Sequence, residues 1–509
     1  MKVLKKPSVK IIVIIMAVFI LTLLVLFSCG VLPGENAEQP DRSLTRSNDT
    51  VSVHFITPDG DTVKREVKGS KVSLDPPEEI ANYTFIGWRD QQGNMEKRES
   101  INVFQDIYYS AVYAVALQTE NHMAYLFPNQ YGMYSPYEEM RRADVAIMLH
   151  TLLAVPVFGS DSFIDVPKNA ACYEAVAALK ELGVISGSRF HPDEGITRAE
   201  LLEMLSAFYP AGRENYEFAD LDNSDSRYPI FCTAAERGWI ESGDNVKADP
   251  DHIMTRVETA KLMNFILGRM PDEKAQVKLI GPMIDMKKGD SGYWDMAEAC
   301  VSHEYELNEG AERWTGSTPI EKKAEGLYLF GLDLYAVGHD GHLVKSGDWN
   351  GFAFDENGLY TSGNPDLDQL IRPILAQILD PSMEREEMLH TVYRYTVDSF
   401  TYLRRNFYFY HDTSWAVDEA YTMLSTRKGN CYNFAGAFCM LARALGYDAA
   451  VCSGFIGIDS SPHAWVEITI DGEIFVFDPE IEYSYKRDFK SADMYMLTLE
   501  EAGKWTYTR

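Results

Sequence analysis

Arg427-Lys428-Gly429-Asn430-Cys431-Tyr432-Asn433-Phe434-Ala435-Gly436 decides how the last third of the chain is read. Behind Cys431 come Phe434, Ala435, Ala437, Phe438, Met440, Leu441, Ala444 and Leu445, closed by Gly446. This pattern predicts a buried helix with a glycine stop. Asn430 suits its N-cap and places Cys431 in the first turn, where free N–H groups and the helix dipole favour a thiolate. Downstream, Pro462-His463-Ala464-Trp465-Val466-Glu467 runs into an alternating stretch to Ile470, turns at Asp471-Gly472 and returns through Phe477-Asp478-Pro479. That turn sets Asp478 opposite Trp465, on the face that also carries His463. Diagonal neighbours on one face lie roughly 7–8 Å apart at the backbone, a gap that an imidazole and a carboxylate close. A nucleophilic sulfur needs a proton carrier and the carrier needs an orienting group, roles that His463 and Asp478 suit.

The order Cys, His, Asp, with the cysteine opening a helix and the others on adjacent strands, resembles the transglutaminase-like superfamily of papain-like cysteine enzymes. The resemblance is carried by Gly429-Asn430-Cys431, Arg443-Ala444-Leu445-Gly446-Tyr447, His463-Ala464-Trp465-Val466-Glu467 and Asp478-Pro479. Upstream, Met388 to Tyr402 reads as a helix running into a strand, and Ala420 to Leu424 as the lead-in to the cysteine. The resemblance implies an α+β domain over 366–509, with Cys431, His463 and Asp478 as the catalytic set for acyl transfer on peptide or protein amides. Water as acceptor gives a peptidase or amidase, the favoured outcome; an amine gives a crosslinking transglutaminase. Two plainer readings stand beside it. Cys431 can be a core residue, as Cys439 and Cys452 are expected to be. The three residues can instead bind a metal, although no fourth ligand is spaced nearby.

The chain has 509 residues, a net charge of −29 and 46% hydrophobic residues, which suits several globular domains. The acidic balance argues against a nucleic-acid partner, because phosphate binding needs a basic face. Lys2, Lys5, Lys6 and Lys10 precede an apolar run from Ile11 to Phe27, the form of an export signal over 1–30. It ends Leu26-Phe27-Ser28-Cys29-Gly30, which resembles a bacterial lipoprotein box and implies lipidation of Cys29. An uncleaved membrane anchor is the alternative, since the run approaches the ~17 residues that can span. Either route places the rest of the chain on the extracellular face of the cytoplasmic membrane or in the cell wall. Seven cysteines show no tight spacing of a disulfide framework or zinc knuckle, so free thiols, no metal and no cofactor are expected.

Residues 31–50 read as a tether. From Val51 to Tyr113 short alternating strands, including Tyr83-Thr84-Phe85-Ile86-Gly87-Trp88, resemble an internalin-type B repeat over 51–115, with Phe85 and Trp88 as core. A repeat of about 57 residues then aligns Met140-Arg141-Arg142-Ala143-Asp144, Ile196-Thr197-Arg198-Ala199-Glu200 and Met254-Thr255-Arg256-Val257-Glu258. The last two are capping boxes, each starting a helix. They are preceded by Phe163-Ile164-Asp165 and Phe218-Ala219-Asp220, loosely echoed by Met283-Ile284-Asp285. The pattern resembles S-layer homology repeats over 121–305, which implies a helical trefoil that binds cell-wall polysaccharide through Arg142, Arg198 and Arg256. The alternative for each arginine is a local carboxylate or helix-end partner. The first repeat lacks its front half and the last stops before its arginine motif. Residues 306–365 read as a linker, polar from Glu306 to Ala324, and a spacer of glycine-turned hairpins.

The expected architecture is multidomain α+β: a small β-grasp-like module, a helical S-layer homology trefoil, a short β-hairpin spacer and an α+β transglutaminase-like domain. The rival reading is a non-catalytic wall-binding or adhesive surface protein.

Overall fold

The computed structural model describes residues 50–508 apart from 406 and 410. The export signal, the Cys29 lipid site and nearly all of the tether fall outside the described residues. Among the described residues no helix is long and apolar enough to cross a membrane.

Alternation in Thr50–Thr57 turns Val51, Val53 and Phe55 inward. This strand pairs antiparallel with Gly60–Val67 and parallel with Ile107–Val115, which pairs in turn with Tyr83–Arg89. Val72, Leu74, Trp88, Ile101 and Tyr109 complete the core, and Phe85 meets Trp88 edge to face at 5.4 Å. The segment is strand and turn throughout, with no helix across its sheet.

The next region is held by a ring of backbone hydrogen bonds. Met140 N–H donates to Met254 (2.8 Å), Met254 to Ile196 (2.9 Å) and Ile196 to Met140 (2.8 Å), so the three arginine-motif segments close on one another. Each motif opens a helix: Arg142–Thr151, Arg198–Ser206 and Arg256–Ile266. The aspartates of the upstream motifs repeat one contact. Asp165 accepts from Phe190 and His191 N–H, Asp220 from Ala248 and Asp249, and Asp285 from Tyr134 and Ser135. His191, Asp249 and Ser135 all have positive φ and all precede proline. The two incomplete repeats are therefore halves of one. The front half, Met283 to the helix Tyr293–Cys300, docks on the back half at Tyr134–Thr151, so the two ends of the repeat region together make the third repeat.

Glu306 to Ala324 was expected as a linker and instead supplies most of a hairpin. His303–Asn308 pairs with Ala311–Ser317 around Glu309 and Gly310, both at positive φ. Trp314 of this hairpin enters the core of the repeat region. The charged surface of the hairpin hid its alternation. Farther on, Gly326–Phe330 pairs with Asp333–Val337, and Gly347–Trp349, Phe352–Phe354 and Tyr360–Thr361 form a second small sheet. Leu334, Ala336, Phe352, Phe354 and Tyr360 pack into the C-terminal core.

That core is built around the helix Cys431–Ala444, buried along nearly its whole length. It lies against the sheet Asp448–Ile456, Ser461–Ile470, Glu473–Phe477 and Leu497–Thr498, and is flanked by the helices Arg385–Ser399 and Ala416–Thr426. Gly436 lets two helices touch: a Cβ there would stand 2.8 Å from the Ala416 carbonyl oxygen. Phe438 is fully buried between Tyr393 (5.3 Å) and Phe477 (5.4 Å). Phe438→Ala should destabilise this domain by about 3–5 kcal/mol through lost burial and a cavity, read as a lower denaturant midpoint of its aromatic near-UV signal.

Candidate active site

Cys431 is the first residue of its helix, as its sequence surroundings imply. The entry is held by Asn433, whose Oδ1 accepts from Asn430 N–H at 2.9 Å. The Asn433 amide is in turn anchored on Glu419, reaching its carbonyl at 3.1 Å and also its carboxylate. Glu419 lies on the helix Ala416–Thr426, so the first turn carrying Cys431 is fixed from the neighbouring helix. Gly429 is required beside it, because a Cβ would strike the Asn433 side chain.

His463 and Asp478 come from the predicted hairpin. Ile470 pairs with Glu473 and Val466 with Phe477, the register set by Asp471-Gly472, with both turn residues at positive φ. Asp478 follows one step beyond the last pair and caps the helix Pro479–Arg487, accepting from Ile481 N–H at 3.0 Å. Its Oδ2 lies 2.6 Å from His463 Nε2 and accepts from the Tyr507 hydroxyl at 2.7 Å. Cys431, His463 and Asp478 are all buried.

With Nε2 committed to Asp478, the ring offers Nδ1 to Cys431. Burial alone would lower the pKa of His463, but the charge and hydrogen bond of Asp478, with help from Cys431, hold it well above its ordinary 6.5. Glu480 lies 3.9 Å from Nδ1, and burial pushes its carboxyl upward. Burial and Asp478 together raise the Tyr507 phenol, which keeps it a hydrogen-bond donor. Tyr507, Asn433 and Glu419 were not anticipated. Asn433 stood in the quoted motif three residues after Asn430, a capping-box spacing, whereas nothing near Tyr507 marks its contact.

The three repeat arginines sit at equivalent junctions. Arg142 Nε donates to the Phe190 carbonyl (2.7 Å) and its guanidinium pairs with Glu200. Arg198 Nη1 donates to the Ala248 carbonyl (3.0 Å). Arg256 donates to the carbonyls of Tyr134 and Phe127, each at 2.7 Å, and lies 3.3 Å from Asp144. These contacts latch each repeat to the next, Arg142 and Arg256 through a carboxylate as well as carbonyls and Arg198 through a backbone carbonyl. Arg198 and Arg256 also line clefts of about 440 and 370 Å3.

Comparison with known proteins bears on both regions. The Transglutaminase-like superfamily matches residues 372–479, and the S-layer homology domain matches residues 162–202. The Surface-layer 125 kDa protein of Lysinibacillus sphaericus is 33% identical over 94 residues, which is 18% of this chain; the match spans 8% of that protein. Among solved structures, a candidate cysteine protease of Cytophaga hutchinsonii is 21% identical, covering 22% of this chain and 37% of that one, with a TM-score of 0.19. A structure named as a TGase is 21% identical, covering 22% and 30%, with a TM-score of 0.17. This chain carries an S-layer homology domain followed by a C-terminal domain of the transglutaminase-like superfamily.

Proposed function

We propose that the C-terminal domain performs thiol-dependent acyl transfer on peptide or protein amides, chiefly to water, and that the S-layer homology region holds it at the cell wall. The observation that carries this reading is the 2.6 Å contact between His463 Nε2 and a buried Asp478, which leaves Nδ1 for a cysteine at a helix start.

Cys431 Sγ attacks the amide carbon while the Cys431 N–H, free at the helix end, donates to the developing oxyanion. The imidazolium gives its Nδ1 proton to the leaving nitrogen as the C–N bond breaks, and a thioester remains. Water, deprotonated by Nδ1, then attacks the thioester; the C–S bond breaks, releasing the acid and restoring the thiol. An amine in place of water would give a crosslink. The full-length chain incubated with a peptide mixture should release amines in step with new carboxyl groups, seen by mass spectrometry. Crosslinked products instead would mark a transferase, and no turnover would leave the wall-binding, adhesive reading.

The wall-binding half draws on the cleft lined by Arg198, Lys247, Lys261 and Trp239, in which these three cations outnumber the carboxylates of Glu241 and Glu258, a balance that suits an acidic saccharide. Arg198→Ala should weaken retention on purified wall about tenfold or more, since a hydrogen bond to a charged group is worth about 1.5–3 kcal/mol. Sedimentation with wall fragments reads this, and unchanged retention would assign Arg198 a purely structural role. The reading places the chain on the extracellular face of the cytoplasmic membrane and in the wall, joined to the membrane through a Cys29 lipid or an uncleaved anchor.

A further inference from the structure

A second cluster lies some way from the cysteine, where the lead-in to the repeat region meets its last helix and hairpin. His122, Glu298, His303 and Glu312 are all buried, and one ligand atom from each lies within 4.8 Å of the other three. His122 Nδ1 is 3.0 Å from His303 Nε2, 3.0 Å from Glu298 Oε1 and 3.5 Å from Glu312 Oε2. His303 Nε2 is 3.1 Å from Glu298 Oε1. Three of the atoms turned away from this centre are tied down. His303 Nδ1 donates to the Val301 carbonyl (2.8 Å), Trp314 Nε1 donates to Glu298 Oε2 (3.3 Å), and Met270 N–H donates to Glu312 Oε1 (3.0 Å). The first of these bonds fixes a tautomer with a lone pair on Nε2, aimed inward.

Hydrogen bonding alone does not satisfy the centre. Glu298 Oε1 and Glu312 Oε2 are buried and receive no properly directed hydrogen bond. One N–H on His122 Nδ1 cannot serve His303 Nε2 and two carboxylate oxygens together. Arg269, buried nearby, sends Nη1 and Nη2 to the Met123 and Asn121 carbonyls at 3.0 and 3.3 Å instead. The two buried carboxylates thus have no cationic group in contact other than the two imidazoles, which cannot satisfy both of them, an arrangement that low-dielectric surroundings disfavour.

We propose that these four side chains bind one zinc ion, which closes the S-layer homology region at its seam. Two imidazoles, two carboxylates and no thiolate make a borderline donor set that zinc accepts, and a dication neutralises both carboxylates. Zinc–ligand bonds of about 2.0–2.1 Å in a tetrahedron put ligand atoms about 3.3 Å apart, the scale of the four separations here. Calcium, at about 2.3–2.6 Å with six or more oxygens, does not fit so tight a set. Rings cover the site: Trp314 stacks on His303 at 3.8 Å and Tyr305 on His122 at 4.0 Å. A cleft of about 730 Å3 bordered by His122, His303 and Tyr305 provides a way in. The ion's place is structural. It would join the lead-in segment, the helix of the split third repeat and both strands of the hairpin, so the expectation of no metal gives way to this assignment.

The full-length chain, equilibrated with zinc and desalted, should retain one equivalent by elemental analysis. Chelation should lower its melting temperature by about 5–15 °C, reversed by zinc. Glu298→Gln and Glu312→Gln should each lose the ion while keeping the wild-type far-UV spectrum. Should either variant fail to fold, cobalt in the wild-type chain remains decisive: intense visible bands of a four-coordinate ion are expected. A wild-type chain that retains no zinc, variants that retain as much as wild type, or only the faint bands of six-coordinate cobalt would overturn the assignment.

Discussion

Cys431→Ala is expected to lower amide turnover by roughly 10^5–10^6-fold, the scale on which removal of a single nucleophile disables a serine triad. No neighbour can substitute for the sulfur. The other five described cysteines are buried and outside any disulfide, and none lies at a helix start facing an imidazole. Loss of the sulfur leaves the helix entry intact, because Asn433 and Glu419 hold it through groups the substitution does not touch. Turnover should therefore vanish while near-UV and far-UV spectra stay as in wild type. Amine release that persists at the wild-type rate would move the chemistry elsewhere in the chain.

Asp478→Asn is expected to cost roughly 10^4-fold, the loss seen when the carboxylate of a serine triad becomes an amide. Asp478 receives three donors, from His463, Ile481 N–H and Tyr507, and an amide cannot accept all of them. With its oxygen toward the ring, its NH2 confronts the Ile481 N–H. The pH profile should change with the rate. In the wild type the raised pKa keeps His463 protonated past 6.5, and the rate falls only as pH passes that raised value. Removing the charge leaves burial to dominate, so the proton leaves at lower pH and the alkaline limb moves toward acid. A variant slowed to the same degree but with an unshifted limb would show that Asp478 orients the ring without setting its charge.

The hairpin was legible because Asp471-Gly472 fixes its register and one face of a strand repeats every second residue. The cysteine helix was legible because its apolar run starts and stops on capping residues. What escaped lies at long separation. Asp285 is 150 residues or more from the N–H groups it binds, so the split third repeat looked like two damaged ones. His122 and His303 are 181 residues apart, which hides a ligand set from any search by spacing. Tyr507 reaches Asp478 from the chain's last turn, and its local sequence carries no sign of a partner. The hairpin at 303–317 is hidden for another reason: Glu304 and Glu306 on its exposed face give it the composition of a linker and mask its alternation.

The most direct measurement is the rate at which iodoacetamide modifies Cys431 at pH 6.5, mapped by peptide mass spectrometry in the wild-type and His463→Ala full-length chains. If Cys431 and His463 form a working pair, Cys431 in the wild type reacts at least about tenfold faster than in the variant, and ahead of the other buried cysteines. Equal rates in the two chains would mean that ring and sulfur do not act together, and the acyl-transfer account would fall.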